Sequence, residues 1–190
     1  MEFDVSPDRP LARLLVDAIT SQAPIRSAWR GPYVPPVVDS AEDGAVPAAS
    51  FALETAAEML TAMLLGVCPE TLAHQMCPDI VAWSPTVFAT NRDDVMAGFL
   101  AHEFRGNTLT DVTVELLTAD AALPRVYLEW RLVGRFTNPC FVDDDLLVKP
   151  TGRLVETCGA AVVTFAGDHV RAIHCYFDDL ALLEQLVTTP

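Results

Sequence analysis

Basic residues are scarce in this sequence. Its 190 residues include 12 Lys and Arg against 26 Asp and Glu, so the formal net charge is −14. No cluster of Lys and Arg occurs, whereas a protein that binds nucleic acid needs a basic surface to displace counterions from the phosphates. Anionic membrane surfaces are disfavoured for the same reason. We therefore expect neither a nucleic acid nor a membrane as a partner.

A membrane-spanning run and a secretion signal are missing as well. The most apolar stretch, residues 51–67, is interrupted by Glu54 and Glu58, whereas a membrane span needs about 20 predominantly apolar residues. No positively charged segment precedes an apolar run near Met1. We therefore expect a cytoplasmic protein.

Paired cysteine motifs are also absent. The five cysteines are Cys68, Cys77, Cys140, Cys158 and Cys175. None of them forms a C-x-x-C pair, so zinc ribbons and thioredoxin-type motifs are not supported. His74 lies between two of the cysteines, but no second pair is present to complete four ligands. We predict thiols without disulfides, no bound metal and no cofactor.

Residues 1–49 differ in character from the rest of the chain. An amphipathic pattern over residues 11–19 predicts one short helix. Breakers follow at Gly31-Pro32 and Pro35-Pro36, and then an acidic stretch over residues 39–44. We predict a partly mobile arm and linker over residues 1–49 and one folded domain over residues 50–190.

Helical periodicity dominates the first part of the predicted domain. Its apolar positions recur at i, i+4, i+7 and i+11, namely at Leu53, Ala57, Leu60 and Leu64. A second short helix is predicted to begin at Pro69 and to end near Met76. A third should begin at Asn91, an N-cap type residue with Asp94 three positions later.

From Gly106 onwards the apolar period changes to two. Strands are predicted around residues 112–116, 126–133, 153–165 and 170–177, and Asp178 should cap a final helix. Strands of this length imply a strongly curved sheet. The sequence therefore predicts an α+β fold in which helices pack on a strongly curved antiparallel sheet. Such a cone leaves a mouth suited to a small molecule.

Segments near the C-terminus resemble the SnoaL-like polyketide cyclase family. They are Lys149–Arg153, Gly159–Val163 and Tyr176–Leu186. This family is part of the nuclear transport factor 2-like superfamily, with ketosteroid isomerases, scytalone dehydratase and limonene epoxide hydrolase. The resemblance covers about residues 51–187 and implies a cone-shaped, cystatin-like fold. It also implies a homodimer formed through the outer face of the sheet.

The reacting positions of these relatives carry other residue types here. The acid of the cyclases corresponds to Cys175, or to Tyr176 if the register is shifted by one residue, and their histidine falls near Ala161. The aspartate of the isomerases corresponds to Ser84, and the Arg and Asp of the epoxide hydrolases to Trp130 and Leu132. The resemblance therefore predicts the fold better than the reaction.

Two functions remain open from the sequence. One is a cofactor-independent cyclase, isomerase, dehydratase or hydratase that acts on a polyketide-, terpenoid- or steroid-like substrate by acid/base chemistry. The other is a protein that binds or sequesters such a molecule without converting it. The candidate catalytic residues are Asp79, His102, His174 and Cys175. Their structural alternatives are a solvated loop acid, a histidine at a helix end, an outward-facing histidine and a buried thiol.

The candidate pocket lining is mainly aromatic. It comprises Trp83, Phe88, Phe99, Trp130, Leu132, Ala161 and Phe177. The small residues Gly159–Ala161 are expected to leave space for a flat ligand. Glu129 and Arg131 alternate with the apolar positions of their strand, which predicts that they lie on the outer face.

Overall fold

The computed structural model describes residues 47–65, 70–85, 88–96, 108–143 and 146–187. The predictions for residues 1–46, for Phe99 and for His102 lie outside these ranges. The helices are α1 (Ala49–Leu65), α2 (Glu70–Ala73), α3 (Arg92–Met96) and α4 (Asp179–Val187). The strands are β1 (Met76–Trp83), β2 (Phe88–Ala89), β3 (Leu109–Ala122), β4 (Arg125–Phe136), β5 (Cys140–Asp143), β6 (Leu146–Val148), β7 (Leu154–Ala166) and β8 (His169–Phe177).

Six strands form one sheet in the order β2-β1-β8-β7-β4-β3, and β5 and β6 form a separate hairpin. The long strands β3, β4, β7 and β8 pair antiparallel, as predicted. The sheet is nevertheless mixed, because β1 runs parallel to β8. Such a pair joins distant parts of the chain, and no local sequence pattern specifies it.

Irregular pairing bends the long strands. The register of β3 against β4 shifts between Thr110 and Thr113 and again between Leu116 and Thr118. Asp111, in the first of these shifts, has a φ of 53°. Opposite this bulge, a Cβ on Gly134 would lie only 3.0 Å from the Cβ of Leu109. Bulges increase the bend and twist of a strand, so they produce the strong curvature that the strand lengths predicted.

Helix α1 covers the inner side of the bend and packs against β3, β4 and β7. Its buried residues are Ala52, Thr55, Ala56, Met59, Leu60, Met63 and Leu64. Leu53 and Ala57, predicted on the core side, are only half-buried. The helix is therefore rotated slightly from the orientation that its Leu and Ala spacing indicated. No helix in the described ranges is long and apolar enough to cross a membrane.

Side-chain caps fix the shorter helices. The backbone N–H of Asp94 donates to Oδ1 of Asn91 over 2.9 Å, which confirms the predicted N-cap of α3. The N–H of Ala181 donates to Oδ1 of Asp178 over 2.9 Å at the start of α4. Gln185 then fastens α4 to β7, since its amide accepts from the N–H of Glu156 at 2.9 Å and donates to the carbonyl of Glu156 at 2.7 Å. Helix α4 is thereby held beyond the end of β8.

Candidate functional site

The register of the sheet defines two faces. The concave face carries the row Leu128, Ala161 and Cys175, which pair across β4, β7 and β8. All three are at most 1% exposed. The next row along the same strands is Trp130, Gly159 and Phe177. Trp130, Leu132, Ala161, Cys175 and Phe177 therefore share one face, as the sequence predicted.

Trp130 fills the centre of the concave face. A Cβ added to Gly159 would clash with Cζ2 of Trp130 and would lie 2.7 Å from its Cε2. The rings of Trp130 and Phe177 meet edge to face, with 6.0 Å between centroids. The space above Gly159, which we expected to be left for a ligand, is therefore occupied by the indole. Ala160 lies on the outer face, where it pairs with Tyr176.

Apolar side chains that are only partly buried mark where the concave face reaches the surface. Val114 pairs with Leu132, and Leu116 pairs with Trp130, so both belong to this face. Together with Phe177 they are partly buried and pack against the core. We call Val114, Leu116 and Phe177 the apolar rim. The rim residues of β3 were missed at the sequence level, although their alternation with Thr113 and Glu115 placed them on one face.

Polar groups on the concave face are few and neutral. Among the described strand residues of this face, Cys175 carries the only ionisable side chain. Thr157, which pairs with Leu132, adds a hydroxyl and is 7% exposed. Because Thr157 and Ala161 are an even number of residues apart on β7, strand alternation would have placed both on the concave face. The described strands of this face therefore offer weak hydrogen-bonding groups in apolar surroundings and no Asp, Glu, Lys, Arg or His side chain.

His174 and Trp83 lie on the outer face. Trp83 pairs with His174 across the parallel β1–β8 ladder, and its ring is 5.3 Å from that of Tyr176. The prediction that Trp83 lines the same pocket as Trp130 is therefore wrong. His174 faces away from Cys175, as strand alternation predicted. Burial lowers the pKa of His174, and the nearby charge of Arg125 lowers it further.

Phe88 also belongs to the outer side. It pairs with Trp83 in the β1–β2 ladder and is 52% exposed. Its predicted place in the lining of an enclosed pocket is thus wrong. The reason is the same for both aromatics: the face they occupy follows from the pairing of β1 with β8, which their own sequence does not encode.

Asp79 is not in an apolar pocket. Its side chain is 68% exposed, and Oδ2 lies 3.6 Å from the guanidinium of Arg171. Its neighbour Ile80 on β1 is buried, and the register of β1 against β8 shifts between Met76 and Val81, around both residues. Of the two interpretations of Asp79, the structure agrees with the solvated acid. Nearby, burial and then the charge of Asp79 raise the pKa of Cys77.

Glu129 and Arg131 lie on the outer face, as predicted. Arg131 donates from Nε and Nη2 to the two carboxylate oxygens of Glu156, at 2.7 and 2.9 Å. Glu115 is a more distant partner at 3.6 Å. Glu156 was not identified from the sequence, because it follows Arg131 by 25 positions and reaches it only across the β4–β7 ladder. This paired arginine is held away from the concave face.

Comparison with solved structures identifies the fold. A candidate SnoaL-like polyketide cyclase from Jannaschia superposes with a TM-score of 0.62 over 78% of this chain and 99% of its own, at 18% identity. IdmH, a candidate polyketide cyclase from Streptomyces antibioticus, gives 0.57 over 72% and 99% at 19% identity. A nuclear transport factor 2-like protein from Burkholderia thailandensis gives 0.55 over 75% and 100% at 16% identity.

The chain has the nuclear transport factor 2-like fold. The resemblance of its C-terminal segments to SnoaL-like cyclases is thus confirmed at the level of the fold. No protein-family model matches the sequence, and no curated protein matches it either. Within the described ranges, no three His, Cys, Asp or Glu side chains lie together as a metal site would require.

Proposed function

We propose that this chain takes up a hydrophobic small molecule on the concave face and converts it without a cofactor, as a cyclase, isomerase, dehydratase or hydratase. The observation that carries the proposal is the apolar character of the concave face, whose side chains run from the buried row at Leu128 to the partly buried apolar rim. Ligand sites of this kind are concave and mostly apolar, with a few convergent polar groups. Polyketide-, terpenoid- and steroid-like molecules match such a surface.

This face supports chemistry in which the substrate is confined by apolar side chains and meets neutral hydrogen-bonding groups. A flexible substrate that is held against apolar side chains loses its unproductive conformations. Such positioning supplies a large part of the reduction in activation free energy. Thr157 supplies a hydroxyl, and Cys175 supplies the only ionisable group on the described strands of this face. Two of the structural neighbours named above are candidate polyketide cyclases, which agrees with this type of reaction.

Uptake of a ligand is tested with a hydroxyanthraquinone, a monoterpenoid and a steroid. We expect at least one of them to raise the melting temperature and to change the fluorescence of Trp130. A ligand at 100 times its dissociation constant stabilises a protein by about 2.7 kcal/mol, which corresponds to several degrees. Replacement of Trp83 by Phe removes the outer-face indole and should leave the change in place. The proposal fails if no compound of the three classes produces either signal.

The second candidate is a binding or sequestering protein that leaves its ligand unchanged. It is favoured by the absence of any carboxylate, histidine or basic residue from the described strands of the concave face. Product analysis by mass spectrometry after incubation with each bound compound separates the two candidates. Conversion supports the enzyme, whereas quantitative recovery of a bound compound supports sequestration.

Two cysteine variants then test the thiol. Cys175→Ser changes the only ionisable group on the described strands of the concave face, whereas Cys158→Ser changes an exposed thiol on the outer face. We expect Cys175→Ser to lower turnover while binding persists, and Cys158→Ser to alter neither. Equal turnover in both variants would assign Cys175 to packing.

A further inference from the structure

Trp130 is the largest side chain fully buried in the described core. It stands in the middle of β4, between Gly159 on β7 and Leu116 on β3. Tryptophan is highly buried on average but is rarely enclosed completely, because of its size. Full enclosure at this position therefore requires neighbours that leave it room.

Gly159 provides that room. An added Cβ there would meet the six-membered ring of Trp130, with 2.7 Å to Cε2, and would also clash with the carbonyl oxygen of Tyr176. Gly159 is not in the left-handed region of φ, unlike Gly152 and Gly167. Its lack of a side chain thus serves the approach of the indole and not a turn of the backbone. Because β7 carries no side chain at Gly159, the indole of Trp130 can lie directly against the strand.

The indole consequently occupies a defined part of the cone. It is bounded below by the backbone of β7 at Gly159 and on one side by the edge-to-face contact with Phe177. Leu116 and Phe177 are only partly buried, whereas Trp130 between them is fully buried. The indole therefore covers the backbone of β7 at Gly159, so a molecule taken up over the apolar rim cannot reach that backbone while the indole is in place.

We propose that Trp130 sets the depth of the concave site and so selects the size of the ligand. This inference rests on the proposed function, since it concerns the same face. Removal of the indole should open a latent site of the same shape, lined by Gly159, Leu116 and Phe177. That site should accept a planar aromatic molecule that the unaltered chain excludes.

Indole itself is the probe for this site. Trp130→Ala should lose several degrees of thermal stability and should regain part of it when indole is added. The unaltered chain should show no such gain. Trp83→Ala is the matched control, because it removes the same ring from the outer face. Equal gains in all three proteins, or none in folded Trp130→Ala, would overturn the proposal.

A milder variant covers the case in which Trp130→Ala does not fold even with indole present. Trp130→Leu retains an apolar side chain and leaves a smaller gap, for which benzene is the matching probe. We expect benzene to raise its melting temperature and to leave that of the unaltered chain unchanged. If benzene does not raise the melting temperature of folded Trp130→Leu, the neighbouring side chains have filled the gap and the indole does not define a site.

Selection by size is tested with 2-naphthol and the three-ring 2-anthrol. If the proposed function is correct, the unaltered chain should bind 2-naphthol at least tenfold more tightly than 2-anthrol, and Trp130→Ala should reduce that ratio to near one. An unchanged ratio in Trp130→Ala contradicts the role of the indole in selection. If the unaltered chain binds neither compound while Trp130→Ala binds indole, selection of size by Trp130 is refuted but the latent site stands, and the proposed function is judged separately by its own three compounds.

Discussion

Along β4 the side chains alternate between two different surroundings. Leu128 and Trp130 are at most 1% exposed on the concave face, whereas Tyr127 on the outer face is 42% exposed and Glu129 is exposed as well. The concave face is apolar and closely packed, to the point that Gly159 has no room for a methyl group. The outer face combines aromatic, charged and small residues. The two faces therefore suit the two proposals differently: the proposed ligand site uses the concave face, and the proposed homodimer uses the outer face.

The largest expected difference between the faces is in stability. Leu128→Ala should cost about 2–5 kcal/mol, because it removes buried methyl groups and leaves a cavity. Its neighbour Glu129→Ala should change stability by less than about 0.5 kcal/mol, since that side chain is exposed. Urea denaturation of both variants measures the contrast. Similar costs for the two would contradict the assignment of the faces.

The next largest difference in stability between the faces should come from substitutions that add atoms to a side chain. Gly159→Ala is expected to cost about 1–3 kcal/mol, because the new methyl group meets the indole of Trp130 and a backbone carbonyl. Ala160→Ser, one residue further on the outer face, should be nearly neutral. Thermal denaturation of the two variants provides the comparison. If Gly159→Ala were neutral, the indole would not lie against β7.

The outer face is proposed to form a homodimer. Tyr127 and Tyr176 are both more than 40% exposed there, and the small residues Ala160 and Val162 lie between them in the pairing of β4, β7 and β8. Sedimentation should give twice the chain mass of 20.6 kDa at micromolar concentration. Tyr176→Asp should return the protein to the single-chain mass, because it places a charge in the buried centre of the interface. A single-chain mass for the unaltered protein would refute the dimer.

The smallest expected effect is a pH dependence that originates on the outer face. The ring of Trp83 meets that of His174 edge to face, with 6.5 Å between centroids. Burial, followed by the charge of Arg125, lowers the pKa of His174 from 6.5 in the folded protein. The unfolded chain therefore binds more protons between the folded pKa and 6.5. Stability should be complete above pH 6.5 and should fall as the pH drops through that window.

Melting temperatures at pH 7.5 and pH 5.5 test this linkage. His174→Gln should reduce the loss at the lower pH, whereas His169→Gln, an exposed residue on the same strand, should retain it. Parallel pH profiles for the unaltered chain and His174→Gln would show that other groups cause the loss.

Much of the fold could be predicted from local pattern. The change in apolar period from 3.6 to two residues separated the helices from the long strands. Asn91 and Asp178 identified the starts of two helices, because their side chains cap backbone N–H groups within three residues. The alternation in β4 placed Trp130 and Leu132 on the buried face. These features depend on residues close in sequence, so the sequence displays them directly.

The candidate site was predicted less well, and the errors share a cause. Trp83 and Phe88 were assigned to the pocket by residue type, but their face is fixed by the parallel pairing of β1 with β8. Asp79 was given two interpretations, a catalytic acid and a solvated one, and its exposed side chain beside Arg171 agrees with the second. A strand pairing between distant segments decided the face of both aromatic residues.

By itself, the sequence of this protein determined an acidic α+β chain, the alternating faces of its long strands and the caps of its helices. These follow from side-chain chemistry and from periods of two and 3.6 residues, which act over a few positions. Only the tertiary structure decided that Gly159 accommodates the indole of Trp130, that Arg131 pairs with Glu156, and that Trp83 faces outward. Each depends on the register between strands far apart in the chain, where a shift of one residue moves every side chain to the other face.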